Sequence, residues 1–314
     1  MTTVSVSVIV PVYRGAPTVG TLVERILAAR TAAGWNLAEI ILVDDQSPDD
    51  SWRVISDLAD QHSEVEAVAL ARNFGQHAAL LAGMTRATGD VIVTMDDDLQ
   101  HRPEEVVSLL AALDDDVDLV YGQAIDEEHG WWRNVTSRLG KRIVALAAGS
   151  DLVESMSAFR AFRSWLVPGL LKQSTQHPSV DVPLLWATER VVLVRVPMDH
   201  RAHGQSNYSA WGLLRVAVTM LLGFSTLPLR AVSYIGVCMG LAGAGLLAFV
   251  LINYAAYGSA VPGFAFIGSM VALFSGVQLV AIGVIGEYLA RLYGDAVGRP
   301  SFAIRRVHRA NPKR

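Results

Sequence analysis

The chain has 314 residues, of which 52% are hydrophobic and only 18% charged, and this apolar composition argues against a single compact soluble globule. Its formal net charge is −4, but residues 291–314 hold seven Lys or Arg and one Asp, so the rest of the chain stands at −10, which excludes a nucleic-acid-binding surface there. The single cysteine, Cys238, excludes an internal disulfide framework and a zinc site built from cysteines.

In the N-terminal part of the chain, apolar runs typical of buried strands alternate with segments whose apolar residues have helical spacing. Residues 4–12 form an uninterrupted β-branched run, as in a strand buried on both faces, and residues 18–33 place apolar side chains at helical spacing. The alternation continues with predicted strands at 39–43, 65–71 and 90–95 and predicted helices at 49–61 and 77–87. It predicts an α/β domain with a mainly parallel sheet and helices on both faces.

The pattern is less regular further along the chain. It predicts a helix at 103–113, a strand at 117–121, a helix at 134–148 and a late strand at 191–197. Residues 211–227 are apolar on most faces but include Arg215, which favours an amphipathic helix lying in a membrane interface.

A long charge-free segment follows. Residues 231–286 contain no Asp, Glu, Lys or Arg over 56 positions, enough for two membrane helices, which we place near 232–254 and 264–289. The turn between them has no basic residue, whereas the C-terminal tail is rich in them, so both termini are expected in the cytoplasm. Because no basic segment followed by an apolar one comes before the first predicted strand, we expect no cleaved signal peptide.

Polar residues follow three of the predicted strands: Tyr13, then Asp44-Asp45, then Asp96-Asp97-Asp98 with Gln100. The carboxyl ends of parallel strands meet at one edge of a sheet and line its ligand crevice. Carboxylate oxygens there can hold Mg²⁺ or Mn²⁺, with phosphate and water completing the shell. The alternative is a solvated acidic turn, as we expect for residues 114–116.

Several segments together carry a family resemblance. They are Val10-Pro11-Val12-Tyr13, residues 42–49, Arg72-Asn73-Phe74-Gly75-Gln76-His77, residues 95–105, Ser157-Ala158-Phe159-Arg160, residues 200–208, Pro228-Leu229-Arg230 and Gly286-Glu287-Tyr288. In order and spacing they resemble family 2 glycosyltransferases over almost the whole chain. The likeness is strongest to the polyprenyl-phosphate group, such as dolichol-phosphate mannose synthases and undecaprenyl-phosphate glucose or aminoarabinose transferases.

The resemblance implies a GT-A fold and a set of site residues. The metal ligands would be Asp96, Asp98 and Gln100, holding Mg²⁺ or Mn²⁺ against the phosphates of a nucleotide-sugar. The residues expected to bind the donor are Pro11, Tyr13, Asp44, Asp45, Gln76, Asp97, Ser206 and Tyr208. The residues expected near the reaction are Arg133, Ser157, Arg160 and Arg201, where guanidinium groups suit the phosphates of donor or acceptor.

Four positions depart from the family pattern. Arg14 and Gly15 replace an Asn-Glu pair, Ala124 replaces an arginine, and Ala158 replaces an acid that some members carry near the reacting centre. Ser157 and Asp181 are possible substitutes for that acid. Asp181 could equally be a helix N-cap ahead of Pro183.

The leading hypothesis is an inverting glycosyltransferase that moves a sugar from a nucleotide to a polyprenyl phosphate at the cytoplasmic face of a bacterial inner membrane. The expected divisions are a GT-A domain at 1–208, an interfacial helix at 209–230, a two-helix transmembrane hairpin at 231–290 and a basic tail at 291–314. The resemblance also implies a homo-oligomer, a tetramer. The alternatives are a catalytically silent scaffold or flippase-associated homologue, and a processive polysaccharide synthase, whose Gln-x-x-Arg-Trp motif is absent from the sequence.

Overall fold

The computed structural model describes residues 4–125, 157–172, 180–199, 227–257, 264–297 and 300–310. The first part of the chain alternates strand and helix as the sequence predicts. Its elements are β1 Ser5–Val12, α1 Val19–Ala33, β2 Asn36–Asp44, α2 Ser51–Gln61, β3 Val65–Leu70, α3 Gln76–Met84 and β4 Val91–Thr94. The predicted bounds differ from these by no more than about three residues at either end.

The remaining described elements include several that the sequence did not predict. A short 3-10 turn at Pro103–Glu105 leads into α4, and another at Ser164–Leu166 leads into α5. The elements are α4 Val106–Ala112, β5 Leu119–Ala124, β6 Arg160–Arg163, α5 Val167–Lys172, α6 Asp181–Ala187, β7 Val191–Val196, α7 Leu227–Tyr257, α8 Phe264–Ala296 and β8 Ile304–Arg309. The predicted helix at 134–148 lies outside the described residues.

Within the described ranges, eight strands form one sheet in the order β7-β5-β6-β4-β1-β2-β3-β8. The central strands β4, β1, β2 and β3 are parallel, β7 is parallel to β5, and β6 and β8 are antiparallel to their neighbours. The sheet is thus mainly parallel, as predicted. In register, Val12 of β1 lies opposite Asp44 of β2, so the chain leaves both strands at the same edge.

The central strands are buried on both faces. In β1, Val8 and Val10 belong to the core under α1 and α2, whereas Ile9 belongs to the core under α3. Alternate side chains of a strand point to opposite faces, so a strand covered on both sides needs an unbroken apolar run. This is the physical reason for the β-branched sequence at the start of the chain.

The two C-terminal helices contain the two segments predicted to cross a membrane. Helix α7 covers 227–257 and α8 covers 264–296, and Gly243 of α7 lies 3.5 Å, measured from a Cβ built on it, from the ring of Phe274 in α8. A search of the described residues finds no helix that is both long enough and apolar enough to cross a membrane. Of the predicted interfacial segment 209–230, the structure describes only residues 227–230, which begin α7.

The basic tail contributes a strand to the sheet. Strand β8 pairs antiparallel with β3, and the N–H of Ala71 donates to the carbonyl of Ala303 at 2.8 Å. Phe302 and Ile304 pack against the core under α3, and His308 contacts Asp60 of α2 at 2.8 Å. The end of the chain therefore forms one edge of the sheet, which the sequence did not predict.

Candidate functional site

A cavity of about 370 Å³ opens where β1, β2, β3 and β4 end. Among the described residues, ten line it: Pro11, Val12, Tyr13, Asp45, Asn73, Gly75, Gln76, Asp96, Asp97 and Asp98. The register of the parallel strands brings these residues together, as expected for the carboxyl edge of such a sheet. Four of these ten are aspartates, so the described part of the lining is strongly acidic.

The loop after β2 fixes one wall of the cavity. Asp45 is buried, and its two carboxylate oxygens accept the backbone N–H groups of Phe74 and Gly75, each at 2.7 Å. Burial raises the pKa of Asp45 above its ordinary value, while the two N–H groups oppose this shift. Asp44 does not line the cavity, because its carboxylate turns to the N–H of Ser47 at 3.1 Å.

The opposite wall begins at Asp96, directly after β4. Its carboxylate accepts the side-chain amide of Gln76 at 2.6 Å, and its backbone N–H donates to Nδ1 of His101 at 3.2 Å. Burial lowers the pKa of His101 to about 4, so the ring is neutral and Nδ1 is able to accept. The His101 ring also stacks on Phe159, with centroids 5.4 Å apart. This contact attaches the loop that begins with Asp96 to the core of the domain.

Asp97 turns away from its two neighbours, towards β1. Its carboxylate accepts the N–H of Tyr13 at 3.3 Å and lies where a side chain at position 15 would stand, 2.1 Å from a Cβ built on Gly15. Burial raises the pKa of Asp97 to about 7, with the charges of Asp96 and Asp98 adding to the shift. Gly15, a departure from the family pattern, therefore makes room for this carboxylate.

Asp98 and Gln100 complete the loop. The N–H of Gln100 donates to the Asp98 carboxylate at 3.1 Å, and Leu99 between them has a φ of +63°, in the left-handed region that is costly for a branched side chain. Among the described residues, no group of three His, Cys, Asp or Glu side chains is placed to hold a metal ion. Two carboxylates and one amide are nonetheless all hard oxygen donors, which fits a cation that takes its other ligands from phosphate and water.

Ser157 and Arg160 are the two residues expected near the reaction that the structure describes. Neither is among the described residues that line the cavity. Arg160 is 1% exposed and pairs with the carboxylate of Asp181, while its Nε donates to Thr94 Oγ1 at 3.0 Å. Ser157 accepts the N–H of Phe159 at 3.2 Å. Asp181 is the first residue of α6, and the N-cap is Val180 and not Asp181. The Asp181 carboxylate instead pairs with the buried Arg160.

Four predicted site residues, Arg133, Arg201, Ser206 and Tyr208, lie outside the described residues. The cavity also contains residues that the sequence did not assign to it: Val12, Asn73 and Gly75. Asn73 and Gly75 follow β3, whose end lies at the same edge, so the strand-end argument could have found them. By contrast, the acidic triplet at 114–116 forms an exposed turn between α4 and β5, as predicted.

Comparison with known proteins gives a consistent assignment. Residues 7–165 match the model of glycosyl transferase family 2. The chain is 37% identical over 312 residues to an undecaprenyl-phosphate 4-deoxy-4-formamido-L-arabinose transferase from Pseudomonas aeruginosa (strain LESB58), covering 98% of this chain and 91% of that protein. It is 34% identical to a protein of the same name from Enterobacter sp. (strain 638), over 96% and 93%.

The fold also has relatives among solved structures. One is glucosyl-3-phosphoglycerate synthase from Mycobacterium tuberculosis in complex with Mn²⁺, uridine-diphosphate-glucose and phosphoglyceric acid, with a TM-score of 0.53, 19% identity, and 70% of this chain and 79% of that chain covered. At that identity the likeness shows the fold alone. On its sequence relatives and its family match, the chain belongs to glycosyl transferase family 2 and, within it, to the polyprenyl-phosphate glycosyltransferases.

Proposed function

We propose that this protein is an inverting glycosyltransferase that moves a sugar from a nucleoside-diphosphate donor to undecaprenyl phosphate or a similar polyprenyl phosphate. The observation that carries the proposal is the cavity at the carboxyl edge, where the loop with Asp96, Asp97 and Asp98 faces the ends of β1 and β3. The nearly full-length relatives, named for undecaprenyl phosphate and 4-deoxy-4-formamido-L-arabinose, supply the first acceptor and the first sugar to test.

The nucleoside end of the donor would lie between Pro11, Tyr13 and Asp45, with the diphosphate towards Asp96 and Asp98. A cavity with so many carboxylates repels a diphosphate unless a cation stands between them. Asp96, Asp98 and Gln100 would hold Mg²⁺ or Mn²⁺, and that cation would supply positive charge against the negative charge on the departing nucleoside diphosphate. Gln76 orients Asp96, since its amide already holds that carboxylate.

The reaction forms one bond and breaks one at the anomeric carbon. An oxygen of the acceptor phosphate bonds to that carbon, and the bond to the donor diphosphate breaks, with its electron pair leaving on the nucleoside diphosphate. The acceptor is already anionic near neutral pH, so attack needs no side chain as general base. Arg133 and Arg201 are our candidates for holding the phosphates. Arg160 would act indirectly: it donates to Thr94, two residues before Asp96, and it pairs with Asp181.

The acceptor has a lipid tail, so the cavity should lie near a membrane. Although the search of the described residues finds no helix able to cross a membrane, we propose α7 and α8 as the membrane spans, because residues 231–286 carry no charge and the following tail is basic. Strand β7 ends, and β8 begins, at the carboxyl edge of the sheet, so the chain departs towards α7 and returns from α8 on the side of the cavity. This topology suits a multi-pass inner-membrane enzyme with its catalytic domain in the cytoplasm. From the family resemblance alone, we also propose a homo-oligomer, a tetramer.

The test uses the full-length chain in lipid nanodiscs that contain undecaprenyl phosphate. Radiolabelled nucleotide-sugars, including a 4-deoxy-4-formamido-L-arabinose donor, are offered with Mn²⁺ or Mg²⁺, and label in the organic phase is counted. We expect transfer from at least one donor and none by an Asp98→Ala variant that still inserts into the membrane. Folded wild-type protein that transfers no label from any donor would favour the silent scaffold instead.

A further inference from the structure

A network of four charged side chains lies beside the cavity and joins three parts of the chain. Arg25 of α1 holds Glu104 through two contacts, at 3.1 and 2.8 Å, and also contacts Asp199 at 3.4 Å. Arg102, two residues after Gln100, donates through Nε to the other oxygen of Asp199 at 2.7 Å. Asp199 is therefore the residue on which both arginines converge.

The backbone reinforces the same junction. The N–H of Asp199 donates to the carbonyl of Gln100 at 2.9 Å, and Met198 forms an antiparallel bridge with His101. Met198 and Asp199, which follow β7, thus contact residues 100–102 at the end of the loop that begins with Asp96. Met198 also packs on the core under α1 and α2, which fixes this short segment to the body of the domain.

The acidic loop needs such a second attachment. It leaves the sheet at the end of β4, and Leu99 adopts a left-handed conformation within it that is unfavourable for a leucine on its own. A strained backbone persists only where its surroundings hold it in place. β4 and the contacts of Asp96 and Asp97 hold the start of the loop, and the junction between residues 100–102 and 198–199 holds its end.

We propose that Asp199 is a positioning residue, which holds the far end of the acidic loop so that Asp98 and Gln100 can bind a divalent cation together with a diphosphate. The proposal rests on the proposed function, but it concerns a residue to which neither the family resemblance nor the cavity assigns a role. Asp199 is not among the described residues that line the cavity. Its carboxylate acts through Arg102 and Arg25, whereas its backbone bond to the Gln100 carbonyl remains when the side chain is changed.

The experiment compares full-length wild type with Asp199→Ala and Asp199→Asn, and with Arg53→Ala as the matched control. Arg53 makes exposed ion pairs with Asp50, the N-cap of α2, and with Asp57, and none of the three is among the described residues that line the cavity. Hydrogen exchange of the peptide that covers residues 96–102 reports on the loop, and Mn²⁺ binding in the presence of UDP or GDP is followed by electron paramagnetic resonance. Neither readout requires sugar transfer.

We expect faster exchange in residues 96–102 of Asp199→Ala and an apparent Mn²⁺ affinity weaker by about 10-fold, as for other groups that orient metal ligands. Asp199→Asn, which keeps the shape but loses the charge, should lie between Asp199→Ala and wild type. In a Gln100→Ala background the added effect of Asp199→Ala should shrink, because both changes act on one unit.

Unchanged exchange and Mn²⁺ affinity in Asp199→Ala would overturn the proposal, as would equal losses in Arg53→Ala. If Asp199→Ala unfolds, Arg102→Gln removes the same contact from the other side, and wild-type Mn²⁺ affinity in that variant would also contradict it. A wild type that transfers no sugar, yet loses Mn²⁺ binding on Asp199→Ala, would overturn the proposed function and leave this inference standing.

Discussion

Three consecutive aspartates in one loop have three different environments. Asp96 is held by the amide of Gln76, Asp97 points back to the N–H of Tyr13, and Asp98 accepts the N–H of Gln100. Burial raises the pKa of Asp97 to about 7, and its bond to the N–H of Tyr13 ties its carboxylate to the end of β1. The loop therefore divides its carboxylates between the metal site proposed here and the structure that supports it.

The space at Gly15 gives a first prediction. In Gly15→Ala the new Cβ would stand 2.1 Å from the Asp97 carboxylate, which must rotate and lose its bond to Tyr13. Hydrogen bonds to charged groups contribute about 1.5 kcal/mol, so we expect the KM for the donor to rise by up to about 10-fold. Gly20→Ala on α1 is the control, since a Cβ there meets nothing within 4 Å. Equal KM values for the two variants would contradict the account.

The buried pair of Arg160 and Asp181 gives a second prediction. Asp181→Asn leaves the guanidinium, 1% exposed, without its counter-charge, and breaking a buried pair from one side costs about 3 kcal/mol of unfolding free energy. Denaturant unfolding followed by tryptophan fluorescence measures the loss. An Arg160→Met, Asp181→Leu double variant should recover much of it, because no unpaired charge remains. A loss below about 1 kcal/mol in Asp181→Asn would show that the pair is not buried as described.

His77 gives a pH-dependent prediction. It accepts the N–H of Val180 at 3.4 Å, and burial lowers its pKa, with Asp181 opposing and Arg160 supporting the shift. The folded protein thus favours neutral His77, whereas the unfolded chain takes up a proton near pH 6.5. The stability from this group is complete above about pH 6.5 and falls as the pH drops towards the folded pKa, by at most about 1.4 kcal/mol per pH unit.

Unfolding free energies of wild type and His77→Asn between pH 7.5 and 5 test this sign. The difference between the two proteins should shrink or reverse as the pH falls, because only wild type takes up the extra proton on unfolding. Parallel curves over that range would show that His77 is as easily protonated in the folded protein as in the unfolded chain.

At the scale of the elements, the C-terminal strand β8 closes one edge of the sheet. Its partner β3 is buried along its whole length, so without β8 the edge Val65–Leu70 would expose an apolar strand with free backbone groups. β8 itself is a protected edge, since it carries a register irregularity and exposed arginines. The tail thus covers an edge that would otherwise promote aggregation.

Truncation tests this role. Removal of residues 300–314 should lower the thermal midpoint and cause aggregation, because it uncovers β3, whereas removal of 311–314 leaves β8 complete and should change neither. Thermal unfolding with light scattering distinguishes the two truncations. Equal behaviour would mean that β8 contributes nothing to the stability of the sheet.

The sequence predicted the parallel half of the sheet well, because each buried strand reads as an apolar run and each helix has its own period. It did not predict β6 and β8. β6 is only four residues long, and β8 has just two apolar residues, Ile304 and Val307, in a segment that resembles a basic tail. Their partners lie far away in the sequence, so local pattern holds no sign of the pairing.

For the site, too, some features could be predicted from the sequence and others could not. Strand ends and the acidic triplet predicted where the cavity lies, since parallel strands end at one edge. The turn of Asp97 towards Tyr13 depends on the missing side chain of Gly15, more than 80 positions away. The burial of Arg160 likewise depends on Asp181 and Tyr121, which approach it only in the folded chain. Neither feature could be read from spacing.

At the scale of the whole molecule, one edge of the sheet combines the cavity with the end of the strand before α7 and the start of the strand after α8. The end of β7 and the start of β8 lie at that edge, beside the loops that follow β1, β2 and β4. A transferase that takes one substrate from water and the other from a lipid needs this arrangement. The central claim is therefore transfer of a sugar to a polyprenyl phosphate at this edge.

The most direct test is mass spectrometry of polyprenyl phosphates from membranes of cells that contain wild type, Asp98→Ala or no copy of the protein. We expect a polyprenyl monophosphate with one added sugar in wild type alone, and its accurate mass identifies the sugar. The same lipids in all three membranes, with both proteins present in equal amounts, would contradict the account.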